Sequence, residues 1–196
     1  MATIFGLPWA VTGSSAYTTD LAGITLGDSF FDARGRLFQV FALSNDLTGD
    51  TITANQIVYL ATTQVTYPTG QSGLFTVTNT IANAFDAAAD THIAGVALGT
   101  SAEAASSAAA DNRYMLFLVR GRHETIATNG DDDIAQGDYL ISSSGNGTCD
   151  SITGTDQATT QTERTMNRRF GIALAADVDA SDTVDGFVNC KGLYMF

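Results

Sequence analysis

Hydrophobic positions along this chain come in short runs closed by turn residues, and almost nowhere at helical spacing. Residues 37–43 (LFQVFAL) form the first such run, and Asn45-Asp46 and Gly49-Asp50 close it. Residues 56–62 predict a second strand. Residues 74–78 (LFTVT) alternate with period two, with Leu74, Thr76 and Thr78 on one face and Phe75 and Val77 on the other. Between them, 63–72 predict a strand running into a turn, because Pro68 and Gly70 do not suit a central ladder. Further strands are expected in the apolar stretch opened by Gly95 and at 114–119, 124–127, 138–142, 170–175 and 187–191. Helix has little support. Residues 101–110 (SAEAASSAAA) carry alanine's propensity but no large apolar side chain to dock. A loop or a turn or two of helix is expected there, and one helical turn at 84–90. Short strands with close-set turns indicate a mainly β protein, an antiparallel barrel or sandwich.

The pattern also repeats. Gly95-Val96-Ala97-Leu98 matches Gly171-Ile172-Ala173-Leu174, and Val119-Arg120-Gly121 matches Cys190-Lys191-Gly192. The second copy has five fewer residues between these anchors. Upstream, residues 52–60 (ITANQIVYL) echo 134–141 (IAQGDYLI). These echoes predict two degenerate β repeats within one compact domain. The first unit spans residues 36–121 and the second 122–196, entered through an extended N-terminal arm of residues 1–35. In the second unit, the polar stretch 142–163 predicts a surface loop or hairpin.

Composition narrows the function classes. The chain has 196 residues, is 44% hydrophobic and only 15% charged, so much of its surface is Thr, Ser, Asn and Gly. Its formal net charge is −12, and Lys191 is its only lysine. That balance argues against nucleic acid as a partner, since phosphates call for clustered cations, and against an anionic membrane surface. No apolar run approaches the roughly 18 residues of a spanning helix. Residues 1–11 lack the basic start and small-residue cleavage site of a secretory signal. Cys149 and Cys190 form neither a zinc pattern nor a disulfide framework, and are read as free thiols of a protein made in a reducing cytoplasm.

Candidate chemistry is sparse. His92 and His123 flank the central repeat and are read as structural histidines. Asp131-Asp132-Asp133 and the set Asp177, Asp179, Asp182 and Asp185 offer carboxylates, but without the glycine and terminal glutamate of a calcium loop; we read them as solvated turns. No G-x-S-x-G elbow is present, and no signature supports a glycosidase carboxylate pair. We therefore assign no catalytic, cofactor or metal residue and expect no enzyme. Contact candidates are the apolar residues of the arm (Ile4, Phe5, Leu7, Trp9) and the densest basic cluster, Arg164, Arg168 and Arg169.

Gly137-Asp138-Tyr139-Leu140, then Gly171-Ile172-Ala173-Leu174, then Cys190-Lys191-Gly192 form a motif across residues 50–192. It resembles the small decoration (cement) proteins of tailed-bacteriophage heads. The first copy departs from it, with Asn55-Gln56 in place of Gly137-Asp138. The resemblance implies a virion structural protein, made in the host cytoplasm and bound to the outer surface of the capsid. There it would clamp the major capsid protein and stabilise the expanded head, as a homo-oligomer, most often a trimer. A β-structured virion adhesin or carbohydrate-binding module is the alternative.

Overall fold

The computed structural model describes residues 27–44, 52–62, 76–81, 92–100, 114–129, 134–143, 145–152, 169–177 and 182–190. Ten strands run through them: β1 (Ser29–Phe31), β2 (Leu37–Leu43), β3 (Ile57–Leu60), β4 (Thr76–Thr78), β5 (Ile93–Ala97), β6 (Tyr114–Ala127), β7 (Tyr139–Ser142), β8 (Cys149–Ile152), β9 (Gly171–Ala173) and β10 (Thr183–Asn189). All belong to one sheet, ordered β1-β2-β4-β3-β5-β6-β10-β9-β7-β8, with an additional β2–β6 pairing. The protein is mainly β, as expected, but the sheet closes into partial rings rather than a clean barrel.

There are two such closures, and they share β6. The first runs β2-β4-β3-β5-β6 and back to β2. In the second, the far half of β6 pairs β10, which leads to β9, β7 and β8; a parallel bridge from Cys149 to Thr128 then returns to the end of β6. The two schemes are identical. In each, the first strand runs parallel to the third and antiparallel to the fifth, the second pairs the third and fourth, and the fourth pairs the fifth.

The repetition extends to single hydrogen bonds. Asn55 N–H donates to the Ala97 carbonyl and Ala97 N–H to that of Gln56, at 2.9 and 2.8 Å. Gly137 N–H donates to Ala173 and Ala173 N–H to Asp138, both at 2.9 Å. The Gln56 side-chain oxygen accepts the Thr53 N–H at 3.0 Å, as the Asp138 carboxylate accepts that of Ala135 at 2.9 Å. Both turns need a left-handed residue: φ is 74° at Asn55 and 94° at Gly137. Asparagine is among the few residues besides glycine that tolerate this region. Asn55-Gln56 is thus the same turn as Gly137-Asp138 in other side chains.

Packing separates the inside of the first ring from its outside. Phe41, Val77, Val58, Ala97 and Phe117, one from each of its five strands, belong to a single buried cluster, so they share the ring interior. Phe41 and Phe117 meet edge to face at 5.8 Å. The outward residues Phe38, Ile57, Tyr59, Val96 and Leu118 are also buried, in a cluster that runs on through Ile126, Leu140, Cys149 and Val188 of the second ring. The units are further joined where Ile57 N–H donates to the Gly147 carbonyl and Ala127 N–H to that of Asn55, both at 2.9 Å.

Several boundaries differ from expectation. Residues 114–119 and 124–127 are one strand of 14 residues, so the expected boundary at 121/122 falls inside β6. Gly121 permits this, with φ at 129° and no room for a side chain; a Cβ there would lie 2.7 Å from Arg36 Cγ. Within the stretch 142–163, β8 pairs back on β7 and so closes a hairpin that begins at Tyr139, before the stretch; residues 153–163 lie outside the described residues. The last strand begins at Thr183, earlier than expected, and residues 29–31 of the expected arm pair β2 as β1. Residues 1–26, 63–75, 82–91 and 101–113, with the arm contacts and the alanine-rich segment, lie outside the described residues.

Candidate functional site

One row of side chains differs sharply between the two units. On the outside of the first ring, Ile57 pairs Val96, Val96 pairs Leu118, and Leu118 pairs Phe38. These four are 0–1% exposed. On the second ring the equivalent row is Tyr139, Ile172, Phe187 and Arg122. Here Ile172 and Phe187 are 41% and 40% exposed, Tyr139 is half-buried and Arg122 is exposed. Leu174, just beyond β9, is exposed as well. The second unit therefore presents an apolar face that the first keeps covered, and adjoining exposed apolar residues mark interaction surfaces.

Arginines bracket this face. At one end, the Arg169 guanidinium lies 4.1 Å from the centre of the Tyr139 ring, a cation–π contact. A groove of about 350 Å³ opens beside it, walled by Ile172, Phe187 and Asn189. The Nε and Nη2 atoms of Arg169 are buried and find no hydrogen-bond partner among the described residues. At the other end, Phe187 also borders a cleft of about 800 Å³, lined by Arg34, Arg36, Arg120, Arg122 and His123 with the acidic Glu124 beside them. Five of the nine basic residues of a chain with net charge −12 thus converge on this side.

Two of the cleft arginines are already engaged. Arg36 Nε donates to Asp32 at 2.7 Å. Burial pushes the Asp32 carboxyl up, but the Arg36 side chain and the backbone N–H groups of Arg36 and Arg34 outweigh it and leave the pKa lowered. Arg122 donates to both oxygens of Asp185, from Nε at 3.1 Å and Nη2 at 2.6 Å, which raises its pKa. Arg34 and Arg120 are exposed, and no side-chain ion pair engages them among the described residues. His123 is buried on β6. Burial and then Arg36 lower its pKa, favouring the neutral ring, whose Nδ1 accepts the Thr125 N–H at 3.2 Å.

Of the contact candidates read from the sequence, Arg169 falls on this face; Ile4, Phe5, Leu7, Trp9, Arg164 and Arg168 lie outside the described residues. Arg34, Arg36, Arg120 and Arg122 were missed, because they come from two stretches far apart in sequence that β1, β2 and β6 bring together. The alternation of Arg120 and Arg122 about Gly121 was the available signal, but it reads as a turn. Asp185 is held by Arg122, and Asp177 accepts the Thr128 hydroxyl at 3.2 Å; Asp131, Asp132, Asp133 and Asp179 lie outside the described residues. Among the described residues no three His, Cys, Asp or Glu side chains gather as metal ligands. Both cysteines are free and buried; burial raises the pKa of each, with Asp150 and Asp177 adding to the effect at Cys149. No helix among the described residues is long and apolar enough to cross a membrane. No protein-family profile, curated protein or solved structure matches the chain.

Proposed function

We propose that this protein is a virion structural protein that decorates the outer surface of an expanded bacteriophage head and stabilises it without chemistry. The observation that carries the reading is the uncovered row Tyr139, Ile172 and Phe187, bracketed by arginines, on a unit whose twin keeps the same row buried. Such a face suits docking, and the twin rings hold it on a rigid frame. A protein that binds the assembled lattice but not its free subunits lowers the free energy of the assembled state by mass action. Several contacts per oligomer, as in the trimer that the resemblance implies, tighten the clamp further. The major capsid protein is the partner in this reading.

Heads of the phage whose genome carries this sequence provide the test. Purified protein added to expanded heads raises the temperature at which they release DNA, and Phe187→Ser reduces both binding and protection. Saturated binding without added head stability would leave an adhesive role. Absence of binding to expanded heads would remove the decoration reading.

A further inference from the structure

We infer that the bracketed face takes an extended acidic segment of the partner protein, in which two carboxylates flank an apolar side chain at alternate positions. This rests on the docking reading and adds the chemistry of what docks. The row crosses β7, β9, β10 and β6, three inter-strand steps of about 4.8 Å, or about 14 Å from Tyr139 to Arg122. An extended chain rises about 3.4 Å per residue, so about four residues span that distance. Positions one, three and five of such a segment point the same way.

The chemistry of each position follows from what the face leaves unfinished. At Arg169, Nε–H and Nη2–H lie along one edge of the guanidinium, the fork that a carboxylate meets with both oxygens. Both are shielded and lack a partner among the described residues, which is costly, so a carboxylate meets the fork once the guanidinium turns from the Tyr139 ring into the groove beside it. The middle of the row, Ile172 and Phe187, offers apolar area to an apolar side chain. At the far end Arg122 is already held by Asp185, so the second carboxylate falls to Arg120, exposed two residues back on β6 and paired across to Asn189. The segment therefore crosses the row obliquely, ending about 7 Å along the strand from Arg122. The chain as a whole carries a net charge of −12, so an acidic segment is least repelled where the arginines gather, although Glu124 and Asp185 lie among them.

The test is a titration of the full chain, labelled at Ile methyls and Arg side chains for NMR, with the capped pentapeptide Glu-Thr-Phe-Thr-Glu. Expected are shifts at Arg169, Ile172 and Arg120, and binding at least tenfold weaker for Gln-Thr-Phe-Thr-Gln. Arg169→Lys keeps the charge but loses the fork, so it also weakens binding while leaving the spectrum of the core unchanged. Equal binding of the amide peptide, shifts elsewhere, or the same response to acetate alone overturns the inference. Self-association that Phe187→Ser abolishes overturns it too, since a second copy would then be the occupant. Heads protected by a protein that ignores the peptide would defeat this inference and leave decoration standing. Peptide binding without head binding would do the reverse.

Discussion

Tyr59 is fully buried, yet among the described residues its hydroxyl makes no well-formed hydrogen bond; the Gly147 backbone approaches it and acts to lower its pKa, against burial. Burial, and secondarily Cys149, pushes its pKa far up, so the group stays neutral. A buried polar group without a partner costs about 1–3 kcal/mol. Tyr59→Phe removes the oxygen and keeps the ring, so it should stabilise the protein by about 1 kcal/mol. For a chain of this size that is a rise of about 2–4 °C in the thermal midpoint. A lowered midpoint would mean the hydroxyl is satisfied. Other residues advertised their roles in the sequence. Gly95 and Gly171 stood out as repeat anchors, and the structure supplies the reason. A Cβ at Gly95 would lie 2.9 Å from Phe117 Cβ, and one at Gly171 would lie 2.7 Å from the Phe187 carbonyl oxygen.

At the scale of elements, strands whose apolar residues run together were legible: β2, β3, β7 and β9 lie where the pattern puts them, and β5 overlaps the stretch opened by Gly95 but begins two residues earlier, at Ile93. β8 was not, because Cys149-Asp150-Ser151-Ile152 is short and half polar, and its place comes from pairing with β7. The length of β6 was hidden too, since Arg120-Gly121-Arg122 has the composition of a turn. The candidate face shared that fate: its arginines are distant in sequence, and its apolar row gains meaning only against the buried twin. β6 also carries a pH-sensitive group. His123 faces Arg36 from β2's approach, Glu124 on its own strand and Asp185 on β10, with burial and Arg36 prevailing to lower its pKa from 6.5. The unfolded chain therefore binds the proton first. Stability from the neutral ring is fully present above about pH 6.5 and declines as pH falls below it toward the folded value. His123→Gln, which can still accept the Thr125 N–H, should flatten this decline. The difference between wild type and variant should grow by up to about 1.4 kcal/mol per pH unit across that window. Parallel urea-melt profiles from pH 7.5 to 5 would remove His123 from the account.

At the scale of the whole molecule, twin rings invite the expectation of two independently melting units, as in arrays where each repeat meets only its neighbour. Three features oppose it. β6 is a single strand that belongs to both closures, so neither ring survives without it. One buried cluster runs from Phe38 and Tyr59 of the first unit to Leu140 and Val188 of the second. Hydrogen bonds also cross between the units: Ile81 N–H to the Asn146 side chain at 3.0 Å, the Thr125 hydroxyl to the Asn55 side chain at 3.0 Å, and Cys190 N–H to the Val119 carbonyl at 2.9 Å. The described rings should therefore unfold in one transition, with the calorimetric enthalpy equal to the van't Hoff value. Gly95→Ala and Gly171→Ala make the decisive pair, because each crowds one ring against backbone or a Cβ that has little freedom to move. Each should cost about 1–3 kcal/mol. If the shared strand couples the rings, either change lowers the single midpoint and leaves it single. If Gly171→Ala instead splits the melt, with the second unit going first while the first keeps its wild-type midpoint, β6 joins the two rings without coupling them.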